Sequence, residues 1–134
     1  MIVVNNKEEL KKLISQRIEE QGPKCDLNDI DVSRIKDMSL LFDNSSFDGD
    51  ISKWDVSNVK DMFAMFYDSQ FKGDISQWDV SNVECMDSMF EWSQFEGDLS
   101  KWNVSKVRNM ELMFVNSPLE GNEPDWYKAY IEDI

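Results

Sequence analysis

The chain has 134 residues, enough for one domain with a core of its own. Its formal net charge is −13, from 27 acidic and 14 basic residues, and it contains no histidine. Such a field repels nucleic-acid phosphates and anionic membranes, and the missing histidine excludes Ser–His and Cys–His nucleophile pairs.

The first predicted element is a helix over Lys7 to Glu20. Asn6 and Glu9 make a capping box, and Leu10, Leu13, Ile14 and Ile18 form one apolar stripe. Gly22 and Pro23 stop it. The stretch is charged and amphipathic, so it is not the apolar core of a secretory signal. No apolar run approaches membrane-spanning length. These features predict a soluble cytoplasmic protein, or a cell-surface one if a leader was removed. Cys25 and Cys85 lie too far apart in a stacked chain to form a disulfide, so both are expected as free thiols.

Trp54, Trp78, Trp102 and Trp126 then recur at a spacing of 24 residues. The units they close read DVSRIKDMSLLFDNSSFDGDISKW, DVSNVKDMFAMFYDSQFKGDISQW, DVSNVECMDSMFEWSQFEGDLSKW and NVSKVRNMELMFVNSPLEGNEPDW, with no insertion or deletion. Within a unit, Trp54, Asp55 and Val56 alternate as a short strand with two residues facing in. Ser57 stands where a hydroxyl caps a helix start. Val59, Met62, Met65 and Phe66 suit a short α- or 3₁₀-helix. Gly73 with Asp74 marks a turn with an expected positive φ. One unit cannot bury its apolar set alone, so like residues should stack on like.

The predicted fold is therefore an α/β repeat solenoid, right-handed because parallel strands joined by crossovers take that hand. Residues 1–30 form a capping helix and a half-repeat. The four repeats are 31–54, 55–78, 79–102 and 103–126. Glu123 and Pro124 break the pattern, and a cap helix is expected over 127–134. The whole makes one structural domain, closed at both ends, and the expectation is a finished four-unit protein that is monomeric.

Units such as WDVSNVKDMFAMFYDSQFKGDISQ and WDVSNVECMDSMFEWSQFEGDLSK resemble the BspA-type repeat of bacterial surface proteins, also described as the domain-of-unknown-function 285 repeat. The likeness covers roughly Cys25 to Trp126. It implies a leucine-rich-repeat-like solenoid used mostly in surface or lipoprotein adhesion modules. The family pattern carries no catalytic residues, so none is transferred. This chain shows no signal peptide, no lipid-attachment Cys near its start and no wall-sorting tail.

No cofactor or metal is expected. Asp50, Asp74 and Asp98 repeat in register, as do Asp31, Asp55 and Asp79. A Ca²⁺ ladder is one reading, and acceptance of backbone N–H bonds within each turn is the favoured one. Met38, Met62, Met86 and Met110 align, as do Met65, Met89 and Met113, which is a core pattern. Cys85 replaces an Asp or Asn of the sister units, in acidic surroundings that do not activate a thiol.

The functional signal lies where the copies disagree, because such positions are free of the stacking requirement. Phe63 replaces Ser39, Asp87 and Glu111. Tyr67 replaces Asp43, Glu91 and Val115. Trp92 replaces Asn44, Asp68 and Asn116. Phe63 and Tyr67, four apart, would share a helical face. Rimmed by Asp68, Asp87, Glu91 and Glu96, these rings have the composition of a binding hot spot. The leading expectation is a non-enzymatic interaction module that binds a basic protein partner, without direct nucleic-acid binding or membrane insertion. The alternatives are an acidic decoy or inhibitor of a nucleic-acid-binding enzyme carried by a mobile element, and a surface adhesion module without its leader.

Overall fold

The computed structural model describes residues 1–132. Four regular elements stand out among them: strand β1 (Ile2–Val3), helix α1 (Lys7–Gln21), strand β2 (Ile30–Asp31) and helix α2 (Asp125–Glu132). The Asn6 side chain accepts the Glu9 N–H at 2.9 Å and starts α1, while Glu9 reaches back to the N–H of Asn5, one residue short of the expected box. Gly22 ends the helix at φ 90°, its N–H donating to the Ile18 carbonyl at 2.8 Å. Leu10 and Ile14 are buried, and Leu13 and Ile18 pack at the edge of the core. Strand β1 runs parallel to β2, with Ile2 opposite Ile30.

Between the helices the backbone bonds to itself one unit away. The N–H groups of Met38, Leu40, Phe42 and Asn44 donate to the carbonyls of Asp61, Phe63, Met65 and Tyr67 at 2.8–2.9 Å. The same four bonds recur from Met62–Asp68 to the third unit and from Met86–Trp92 to the fourth. Parallel bridges link Asp37 to Asp61, Asp61 to Cys85 and Cys85 to Asn109. All of these ladder bonds run toward the C-terminus. Among the described residues, the N–H groups of Met110, Leu112, Phe114 and Asn116 consequently meet no backbone acceptor.

This ladder occupies the stretch where the residue spacing predicts a short helix, and it contains β-turns instead. An α-helix would send each N–H back four residues, whereas here alternate N–H groups leave for the next unit. The remaining ones close turns, as Leu41 does to Met38 and Asp43 to Leu40. The turns place two left-handed residues in every unit: Leu40 and Asn44, Ala64 and Asp68, Ser88 and Trp92, Leu112 and Asn116, all with φ between 49° and 62°.

The strand expected at Trp54–Val56 is an irregular segment between turns at 52–53 and 57–58, although the Trp54 and Val56 side chains do face inward. Side chains there take over the bonding. The Trp54, Trp78, Trp102 and Trp126 indoles donate to the carbonyls of Leu27, Ile51, Ile75 and Leu99 at 2.8–3.1 Å. Asp55, not Ser57, supplies the local acceptor, taking the Ser57 N–H at 3.0 Å. Gly49, Gly73 and Gly97 do not have positive φ. They are needed for close approach, since a Cβ on Gly73 would lie 2.6 Å from the Phe71 ring.

Inside, like stacks on like. Phe42, Phe66, Phe90 and Phe114 form a column with centroids 5.5–5.7 Å apart and planes within 5°. Phe47, Phe71 and Phe95 form a second at 5.9–6.1 Å. The two columns touch within each unit, with Phe66 and Phe71 centroids 4.9 Å apart, and the register-aligned methionines are buried in the same core. Helix α2 begins two residues before the expected 127. Its Tyr127 meets Phe114 edge-on at 4.9 Å, and Asp133 and Ile134 of the expected cap lie outside the described residues.

Candidate functional site

Each ladder segment has seven residues. Three face the core, as Met62, Met65 and Phe66 do, and four fall in columns on the other side, where Ser39 and Ala64 are nevertheless buried. The outward columns are 39/63/87/111, 40/64/88/112, 43/67/91/115 and 44/68/92/116. Their sixteen positions carry five carboxylates, Asp43, Asp68, Asp87, Glu91 and Glu111, and no lysine or arginine. Bases gather instead on the neighbouring edge, with Lys36, Lys60 and Arg108 in one column and Arg34 and Lys106 in another. The ion pairs among the described residues are Lys7–Asp37 and Arg17–Asp29, so none of the five carboxylates is paired.

Phe63 (40% exposed) and Trp92 (53%) lie open on this face, and Tyr67 is half-buried. Phe63 and Tyr67 come together as expected, but through consecutive β-turns and not along a helix. They wall a notch of about 250 Å³ with Leu40, Asp43, Ala64 and Ser88. Aromatic departures between units point to Phe63 and Tyr67 but not to Leu40, Asp43, Ala64 and Ser88, which complete the notch. The disagreement of Leu40, Ala64, Ser88 and Leu112 within one column was the available sign.

Trp92 lies a unit further on, outside the notch, at φ 62°. Its column otherwise holds Asn44, Asp68 and Asn116, short polar residues that visit the left-handed region readily. A tryptophan there costs on the order of 1 kcal/mol in backbone strain. Asp68 and Glu91 share the face. Asp87 does too, but its carboxylate also holds the Glu111 N–H at 2.7 Å, which ties it to the stack. Glu96 stands apart, in a cleft with Gly97, Asp98, Leu119 and Pro124.

The register-aligned aspartates have local partners. Asp50, Asp74 and Asp98 accept the N–H of Ser52, Ser76 and Ser100 at 2.9 Å, and Asp31, Asp55 and Asp79 accept those of Ser33, Ser57 and Ser81 at 2.9–3.0 Å. The Ser76 hydroxyl and N–H hold the Asp74 carboxyl below the usual range, against its partial desolvation and the like charges of Asp50 and Asp98. Burial pushes the Cys85 thiol up, and Asp87 and Asp61 add to that, while the Asp87 N–H acts against it.

The fold and face define a chain of stacked 24-residue units with one acidic, partly aromatic side. A family model described as "Mycoplasma protein of unknown function, DUF285" matches residues 9–126, and the chain belongs to that family. Searches of the curated proteins and of the solved structures returned no match. Among the described residues, no helix is long and apolar enough to cross a membrane.

Proposed function

We propose that this chain is a non-enzymatic protein-interaction module, built as a right-handed, leucine-rich-repeat-like solenoid of the BspA type. It holds a basic macromolecular partner on the outward ladder face. One observation carries the reading: the four columns combine five unpaired carboxylates, no base, and the open apolar side chains of Leu40, Phe63, Trp92 and Leu112. Aromatic anchors ringed by charge are the usual make-up of binding hot spots. The strained backbone at Trp92 fits a residue kept for contact, because an asparagine would suit the turn better.

The test replaces Phe63→Ser, Tyr67→Asp and Trp92→Asn together, each being what the first unit carries in the same column. The variant should keep a melting temperature within about 5 °C of the parent. It should lose at least tenfold in affinity for a partner first captured by the parent protein and then purified. Binding should weaken with added salt. Undiminished affinity in the variant, or binding that strengthens with salt, would refute the proposal. Competition by duplex DNA for the same partner would select the decoy form of the reading.

A further inference from the structure

Among the described residues, the repeats leave four large apolar side chains exposed, one from each unit: Leu40, Phe63, Trp92 and Leu112. All four stand on the ladder face. Stacking does not demand them, because the same heights hold serine, alanine, aspartate, glutamate or asparagine in sister units. Leu40, Phe63 and Leu112 run the length of the face in the adjoining columns headed by Ser39 and Leu40, and Trp92 stands across from them in the column headed by Asn44. The carboxylates of the face lie on both flanks. Asp87 and Glu111 are in the first column, and Asp43, Glu91 and Asp68 in the last two.

The backbone of this face is already bonded. Every N–H from Met38 to Asn44 and from Met62 to Asp68 has an acceptor: alternate ones reach the next unit, two in each segment close turns, and those of Ser39 and Phe63 meet the Asp37 and Asp61 carboxylates at 2.8 and 2.9 Å. An extended segment laid over these units finds no free N–H for its carbonyls. A helix brings its backbone already paired. The spacings point the same way. The units repeat every 5.5–5.7 Å in the Phe42–Phe114 column, and at about 4.8 Å in a backbone ladder, close to the ~5.4 Å pitch of an α-helix. Alternate side chains of an extended chain lie about 6.6 Å apart and drift out of step by roughly 4 Å over three intervals.

Resting on the interaction reading above, we infer that the ladder face docks a basic amphipathic α-helix of its partner, lying along the stack with one turn over each unit. Apolar residues of that helix, spaced three or four apart, meet Leu40, Phe63 and Leu112, and Trp92 closes the far side. Lysines and arginines on its two flanks face the carboxylates.

The probe is a synthetic amphipathic helix of about 18 residues, built from leucine, lysine and alanine and titrated into the ¹⁵N-labelled protein. Two controls accompany it: the same composition rearranged so that leucine and lysine alternate, and the same helix with glutamate in place of lysine. The basic helix should gain helicity on binding, by circular dichroism, and bind saturably at least tenfold more tightly than either control. The amide shifts should centre on Leu40, Phe63, Tyr67, Trp92 and Leu112. Leu112→Asn suits the left-handed backbone at that position, so it should leave the melting temperature within about 5 °C of the parent while weakening the helix at least threefold. Equal binding of the alternating peptide, shifts centred on other carboxylates such as Asp50, Asp74 and Asp98, unchanged affinity in Leu112→Asn, or no saturable binding would each overturn the inference. A captured partner that is lost by the triple variant, yet whose binding segment is not helical in the complex, would sink the docked helix and leave the interaction module standing.

Discussion

Trp78→Phe tests how the units are held together. The Trp78 ring is 4% exposed, and its indole N–H donates to the Ile51 carbonyl at 3.1 Å. That carbonyl also takes the Trp54 N–H at 3.2 Å, so the substitution leaves it with one partner of two. The lost bond is worth about 1 kcal/mol net. The phenyl ring also gives up roughly two buried carbons, at ~0.8 kcal/mol each. The expected loss is about 2.5 kcal/mol, or on the order of 8 °C in melting temperature for a chain this size. Trp126 makes the same bond to Leu99 at 2.8 Å but is only half-buried. Trp126→Phe should therefore cost about half as much. Urea unfolding followed by far-ultraviolet circular dichroism measures both without relying on tryptophan emission. Equal costs for the two variants, or under ~0.5 kcal/mol for Trp78→Phe, would refute the view that the indole ladder ties unit to unit.

Acid should weaken the fold in a defined window. Ser76 holds the Asp74 carboxyl low, Ser81 does so for Asp79, and Asn28 with Ser52 for Asp50. A lowered folded pKa means stabilisation present above the unfolded value near 3.9 and lost as pH falls through the folded one. The urea midpoint should drop below about pH 4, and less steeply in Asp74→Asn; a midpoint that stays level down to pH 2.5 would remove the argument. Burial raises both thiols, so Cys25 and Cys85 should react with a thiol reagent at pH 7 at least tenfold more slowly in the native protein than in urea. Equal rates would contradict the burial of these groups. The chain should sediment as a monomer, because two copies meeting tail to tail would set the N–H groups of 110–116 against each other. A two-fold dimer protecting those amides from hydrogen exchange would show the opposite.

The inward set of the units was legible because stacking demands the same residue at the same height every time. Met62, Phe66, Phe71 and Trp78 are buried as their agreement between units implies. The local backbone was not legible. Spacings of three, three and one at Val59, Met62, Met65 and Phe66 satisfy a helix and a run of β-turns equally. What separates them is where each N–H goes, and here the acceptor lies 23 residues away, outside any local window. The Gly-Asp pair misled for a similar reason. Gly73 reads as a positive-φ turn, yet its role is to let the chain pass the Phe71 ring. The left-handed positions did leave a trace: Asn44, Asp68 and Asn116 share a column, and short polar residues recurring at one height mark a backbone that larger side chains resist. Read that way, Trp92 is more than an aromatic substitution on a variable face. It is the one member of its column that the turn itself does not favour, a departure that the proposed interaction face would account for.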